Sequence, residues 1–331
     1  MKKIVVIGSN SFSGSDFIDY ILSETKYEVH GISRSPEKSA LFLPYKGNPN
    51  INRFSYHQID LNQNFTELKR LFLELKPQYI INFAAQSEVG PSWDHPEHWF
   101  STNAVAIATL GNFLKDQDWL QKYVHISTPE VYGTCNGIVR EDAPLNPTTP
   151  YAASKAAGDL MLFTLVKNFN FPLVTIRSTN VYGAHQQLFK IIPRSVIYIK
   201  KGKTIELHGG GHAIKSFIHI RDISRGQLMA MENGKNGQIY HLSPTDSGIS
   251  IKDLVNRICD EMGMDFGSCT KTVAERLGQD KAYVIDSSKA RNELNWDTKI
   301  SLKEGLKGVV TWVERNWAEI DSLPLEYIHK P

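Results

Sequence analysis

The chain has 331 residues, 41% of them apolar, which is enough for one large α/β domain and a smaller second one. A net charge of +2 argues against steering toward nucleic acid or a membrane surface, and the apolar runs are far shorter than a bilayer span. Three scattered cysteines (Cys135, Cys259, Cys269) rule out a disulfide scaffold or a cysteine metal site; with no visible signal peptide, they predict a cytoplasmic protein.

Lys3 to Ile7 is a continuous apolar run, as expected of a strand buried on both faces of a parallel sheet. Gly8-Ser-Asn-Ser11-Phe12-Ser-Gly14-Ser15 follows, and then an amphipathic stretch from Asp16 to Thr25. Strand, glycine turn and helix form the context of a dinucleotide fingerprint, with the helix N-terminus facing a pyrophosphate. Gly8 would make the tight turn and Gly14 the close helix–strand contact. Ser11 stands where a middle glycine is usual, which requires a negative φ there. A second strand, Tyr27 to Ile32, ends in Ser33-Arg34-Ser35 with no carboxylate to meet a ribose 2′-hydroxyl. Arg34 suits a 2′-phosphate instead, which predicts NADP rather than NAD. His57 to Leu61 is a third strand, with Asp60 and Leu61 placed to meet the adenine. Ile80 to Ser87 is a fourth, ending in the small-residue turn Ala84-Ala85-Gln86-Ser87 that lets a cofactor lie close.

Trp99 to Lys115 and Tyr151 to Asn168 are helical patterns with wide apolar faces. Between them runs His125-Ile-Ser127-Thr128-Pro129-Glu130-Val131-Tyr132-Gly133. Tyr151 and Lys155 stand one turn apart on the second helix. An ammonium beside a phenol favours the phenolate, and such a phenol takes a proton from a hydroxyl as hydride leaves the same carbon. Strands and helices alternate to about residue 180, which predicts a doubly wound parallel sheet of Rossmann type. The expected division is a dinucleotide-binding unit from 1–180 plus 216–246, and a smaller α/β substrate unit from 181–215 plus 247–331. The ligand crevice is expected between them, at the carboxyl ends of the strands.

In their order and spacing, the glycine turn, Phe-Ala-Ala-Gln-Ser, Ser-Thr-Pro-Glu-Val-Tyr-Gly and Tyr-x-x-x-Lys resemble one family over nearly the whole chain. This is the extended short-chain dehydrogenase/reductases that act on nucleotide sugars, and the closest likeness is to the 4,6-dehydratases of dTDP-glucose and GDP-mannose. Ser127-Thr128-Pro129-Glu130 carries the glutamate that dehydratases place there. Gly278 to Lys289 resembles a run of the dTDP-glucose enzymes. Val29 to Ile32 together with Ala84 to Ser87 is nearer to the NADP-using GDP-mannose enzymes.

The resemblance implies a cofactor site of Gly8, Ser11, Phe12, Gly14, Arg34, Asp60, Leu61, Ala84, Ala85, Gln86, Asn103, Tyr151 and Lys155. It implies that Tyr151 takes the proton of the sugar 4-hydroxyl, assisted by Thr128, while Lys155 lowers the tyrosine pKa. Glu130 then takes the proton of carbon 5, and water leaves from carbon 6. Pro129 departs from the aspartate of the dTDP-glucose enzymes, so Glu130, a water or a tyrosine supplies the acid, or the reaction differs. Ser87, Glu88, Asn180, Lys190, Lys215 and Arg276 fall on the substrate side, with Lys215 where arginine is usual. Trp93 either lines the sugar pocket or is structural. The family's equivalent helices form an intersubunit four-helix bundle, so a homodimer is expected; the alternative is burial of those faces within one subunit. A 4-epimerase, 4-ketoreductase or decarboxylase on the same scaffold is the competing enzyme reading. A non-catalytic dinucleotide-binding regulator is disfavoured by the intact Thr128, Tyr151 and Lys155.

Overall fold

The structure is a computed structural model that describes residues 1–134, 137–274 and 284–330. Its centre is a seven-stranded sheet of β1 (Lys3–Ile7), β2 (Glu28–Ser33), β3 (Phe54–Gln58), β4 (Tyr79–Asn82), β5 (Lys122–Ile126), β6 (Leu173–Ser178) and β7 (Gln238–Leu242). The spatial order is β7-β6-β5-β4-β1-β2-β3, and every neighbouring pair is parallel. The strand order reverses beside β1, where Val5 stands next to both His30 of β2 and Ile80 of β4. A crevice opens at such a point, beyond the carboxyl ends of the strands.

The apolar run of β1 serves two cores at once. Ile4 and Val6 belong to the cluster with Phe17, Ile21, Ile223 and Met231, while Val5 and Ile7 belong to the cluster with Ile80, Ile107, Leu110 and Leu162. Alternate residues of a strand point to opposite faces, so a strand covered on both sides has no polar alternate. Each fully buried side chain of this kind contributes about 1.5–3 kcal/mol. The doubly wound parallel sheet is therefore as expected.

Helix α1 (Phe12–Glu24) packs beneath β1, followed by α2 (Phe65–Leu75). The helix expected over Trp99 to Lys115 is divided into α3 (Pro96–Phe100), a wider π-type turn over Ser101–Val105, and α4 (Ala106–Leu114). Helix α5 (Pro150–Phe169) starts at the Thr149 cap, whose hydroxyl accepts from Ala152 N at 3.1 Å, with Pro150 in the first helical position. It ends at Asn170, in the left-handed region at φ 52°.

A further core lies beyond the sheet. It joins Ile192, Val196 and Ile197 of α6 (Ile191–Lys200) to Leu254, Val255 and Ile258 of residues Ile251–Glu261, and to Val309 and Val313 of Leu302–Arg315. Ala290, Leu294 and Trp296 pack on the β1 core instead. Asp222 holds that segment by accepting from the backbone amides of Lys299 and Ile300, each at 3.0 Å. No helix among the described residues is long and apolar enough to cross a membrane.

Candidate active site

The turn after β1 is built for close approach. Gly8 has φ +86°, and a Cβ there would lie 2.7 Å from Ala84 N. A Cβ on Gly14 would lie 2.4 Å from Gly8 O. Ser11 has φ −76° and caps α1, its Oγ accepting from Gly14 N at 3.0 Å. The usual middle glycine is dispensable at Ser11, because the backbone at that residue has a negative φ. Beyond the turn lies a cleft of about 350 Å³, whose walls include Gly8, Ser11, Arg34, Asp60, Leu61 and the run Ala84 to Glu88. The tightly packed glycine turn brings the N-terminus of α1 to the cleft, an arrangement that fits a dinucleotide pyrophosphate.

Five expected cofactor residues, Phe12, Gly14, Asn103, Tyr151 and Lys155, stand outside the lining of this cleft. Phe12 is packed in the β1 core with Phe17. Asn103 is buried, and its amide is fully engaged. Its Oδ1 accepts from Gln86 N at 2.9 Å, and its Nδ2 donates to Gln86 O and Ser154 Oγ, both at 2.9 Å. Asn103 thus fixes the loop after β4. The π-type turn holds it there, an irregularity common at functional sites.

The expected catalytic residues gather at the end of β5 and the start of α5. Thr128 opens a short helical turn, its Oγ1 accepting from Glu130 N at 3.3 Å. Tyr151 is only 8% exposed. Burial pushes its phenol well above the ordinary tyrosine range, the Glu130 charge adds to this, and hydrogen bonding by Thr128 opposes it. The expectation that Lys155 lowers this pKa is therefore corrected for the protein alone. Desolvation wins, and the Lys155 ammonium donates to Ile126 O at 2.8 Å. Burial lowers Lys155 itself to about 8, with Asp159 resisting the fall and Arg177 adding to it.

Asp159 was not anticipated. It lies one turn beyond Lys155 on α5, and that acid on a face of small buried residues was the available signal. Its Oδ2 accepts from Ser127 Oγ at 2.7 Å and Arg177 Nη2 at 2.6 Å, and His125 Nε2 stands 3.3 Å from Oδ1. Arg177 Nη1 donates to the Tyr132 hydroxyl at 2.5 Å, which lies 2.7 Å from His241 Nε2. Burial alone would raise the Asp159 pKa, but the adjacent His125 and the Arg177 charge overcome it and hold the group well below the usual carboxylate range. The catalytic turn thus rests on a buried ionic chain.

On the substrate side, Glu88 and Lys190 are paired across the crevice at 2.5 Å. Asn180 Nδ2 donates to Ser216 O at 3.1 Å. Lys215 is half-buried in the short ladder with Ile249, and Trp93 is exposed. Arg276 and the run from Gly278 to Tyr283 lie outside the described residues, as does Cys135.

A family model described as GDP-mannose 4,6 dehydratase matches residues 5–309. The chain belongs to that family. It is an extended short-chain dehydrogenase/reductase of the nucleotide-sugar 4,6-dehydratase kind. The dTDP-glucose 4,6-dehydratase of Haemophilus influenzae is 28% identical, over 94% of this chain and 98% of its own. A dTDP-glucose 4,6-dehydratase structure from Streptomyces venezuelae with NAD bound is 29% identical, covers 96% of this chain and 98% of its own, and superposes with a TM-score of 0.88. A UDP-glucuronic acid 4-epimerase structure from Bacillus cereus with NAD is also similar, at 26% identity, 95% and 99% coverage and a TM-score of 0.85. The fold of this chain is thus shared by a dehydratase structure and an epimerase structure.

Proposed function

We propose that the protein converts an NDP-hexose to an NDP-4-keto-6-deoxyhexose, with Thr128, Glu130, Tyr151 and Lys155 as its catalytic residues. The observation that carries this reading is that Glu130 sits on the short turn whose Val131 and Tyr132 pack with Ala156 of α5, the helix that bears Tyr151 and Lys155. A proton acceptor for carbon 5 thus stands next to the one for the 4-hydroxyl.

A nicotinamide dinucleotide bound in the cleft would supply a reversible hydride acceptor serving carbon 4 and then carbon 6. The backbone at Gly8, Ser11 and Ala84 to Gln86 would hold its phosphates and nicotinamide half. Arg34, Asp60 and Leu61 would hold the adenosine half. Tyr151 takes the proton of the 4-hydroxyl, while Thr128 hydrogen-bonds the same oxygen. The Lys155 cation would stabilise the phenolate form of Tyr151 that accepts this proton. The resulting ketone acidifies carbon 5, and Glu130 removes that proton. Pro129 has no proton to give, so the protonated Glu130 delivers its own to the departing 6-hydroxyl, which leaves as water. The proton kept by Tyr151 balances the one that carbon 5 regains. The sheet unit would hold the dinucleotide, and the second core the nucleotide sugar.

The cofactor assigned is NADP. Arg34 and Lys38 line the cleft just after β2, and among the described lining residues of that stretch (Ser33, Arg34, Ser35, Lys38) there is no carboxylate; Asp60 comes from the end of β3. Direct titration with NAD and NADP tests this, since Arg34→Ala should weaken NADP and leave NAD unchanged. A homodimer through α3 to α5 is supported by the exposed Phe100, Val105 and Leu160 on those helices, and light scattering of the purified protein tests it. The main experiment is incubation with dTDP-glucose, UDP-glucose and GDP-mannose separately, followed by mass spectrometry. Loss of one water from one donor supports the reading and names the substrate. An unchanged mass with inverted carbon 4 would put the epimerase reading in its place.

A further inference from the structure

The cofactor cleft has a wall that the glycine turn and strand ends do not provide. After Leu323 and Leu325 pack on the second core, the chain turns back toward the crevice. Tyr327, Ile328 and Lys330 there line the same cleft as Arg34, Lys38, Asp60 and Asn62. Those latter residues follow β2 and β3, where dinucleotide folds hold the adenosine half.

The segment is held by specific contacts. The Lys330 carbonyl accepts from Arg34 Nη2 at 2.9 Å and from Gln86 Nε2 at 2.7 Å. One carbonyl thus links the end of β2 to the loop after β4. His329 stacks on Trp99, with centroids 5.1 Å apart and planes at 14°. It also stacks on His95 and His98, and its Nε2 lies 3.0 Å from His98 Nδ1. The Tyr327 ring meets Phe189 edge-on at 5.5 Å. Ile328 remains 65% exposed between these anchors. The cleft of about 350 Å³ persists with the segment in place, so the segment encloses space and does not fill it.

We propose that Tyr327–Lys330 form the outer wall of the cofactor site, binding the adenosine half of a nicotinamide adenine dinucleotide and slowing its release. The inference deepens the cofactor reading above and rests on it. The chemistry calls for such a wall, because a cycle that returns its hydride needs no exchange of cofactor between turnovers. Lys330 also adds a third cation to Arg34 and Lys38 at that end, and its charge reinforces the lowering of the Lys38 pKa that burial causes. A phosphate-bearing ribose meets all three.

The experiment is stopped-flow displacement of bound NADPH from the intact chain, from a chain ending at Leu325, and from Tyr327→Ala and His329→Ala. Circular dichroism confirms that each is folded. A lost wall speeds release more than it changes association, as most changes to a binding surface do. Release from the shortened chain is expected to be about tenfold faster or more, with the two point variants in between. Hydrogen exchange gives a second readout on the unaltered chain, where bound NADPH should slow exchange of the amides of 327–330. Equal release rates, or unchanged exchange, would overturn the proposal. So would faster association and tighter binding by the shortened chain, which would make the segment a plug. Failure of the intact chain to bind either dinucleotide would remove the cofactor reading, and the wall with it.

Discussion

Replacing Asp159 by Asn keeps the shape of the side chain and removes its charge. Asp159 and Arg177 are both fully buried, with Oδ2 and Nη2 2.6 Å apart. At an effective dielectric of about 20, that separation corresponds to about 6 kcal/mol of attraction, much of it offset by the desolvation of both groups. Removing one partner strands the other, and Arg177 has no water to turn to. The expected loss is about 3–5 kcal/mol in urea unfolding at neutral pH. Adding Arg177→Met should recover most of it, because a buried pair replaced whole is close to neutral. The pH dependence has a fixed sign. Asp159 is depressed in the folded state, so its contribution is present above the ordinary carboxylate range and lost as pH falls below it. Asp159→Asn should therefore flatten the acid limb of the stability profile. Activity adds a readout that a purely structural role would not move. Asp159 resists the fall of the Lys155 pKa, so its loss should shift the alkaline limb of kcat to lower pH. A stability loss below about 1 kcal/mol, or no recovery in the double variant, would refute the electrostatic account.

Tyr151→Phe should lower kcat by about 10²–10⁴-fold while dinucleotide affinity, read by titration, stays the same. Glu130→Gln should stop the reaction after oxidation, so that deuterium exchange at carbon 5 and loss of water disappear together while the oxidised cofactor accumulates. Wild-type kcat should fall as pH rises through about 8, where the Lys155 ammonium loses its proton. The same lowered pKa makes Lys155 a stability cost below about 8 that diminishes as pH climbs toward 10.5; Lys155→Met should abolish activity and level that part of the unfolding profile. Gly14→Ala places a methyl 2.4 Å from Gly8 O, so the turn must open. The cost is about 1–3 kcal/mol in thermal unfolding, with weaker dinucleotide binding.

The sheet was legible because its evidence is local. Four apolar residues before a glycine turn, and further apolar runs with helices between, leave few alternatives to a doubly wound fold. Tyr151 and Lys155 were legible as a pair because one helical turn fixes their spacing. What Lys155 touches was not legible. The lysine meets the carbonyl of Ile126 on another element, and the burial that raises the phenol comes from the whole molecule. Asn103 illustrates the same limit. Nothing local distinguishes an asparagine that touches a cofactor from one that holds the loop the cofactor rests on. The decisive π-type turn depends on packing against α5, where Ser154 receives its amide. The pairing of Glu88 with Lys190 joins residues about a hundred positions apart, a proximity that only the closed crevice creates.

That last pair changes how the crevice responds to an anion. Lys190 is already neutralised, so a diphosphate that claims it must evict a carboxylate, and docking becomes an exchange of partners. The net gain is the difference between two ion pairs, and the salt sensitivity of binding falls below what the number of cations would imply. An anion that took Lys190 in this way would leave Glu88 free to hydrogen-bond at the same point of the crevice.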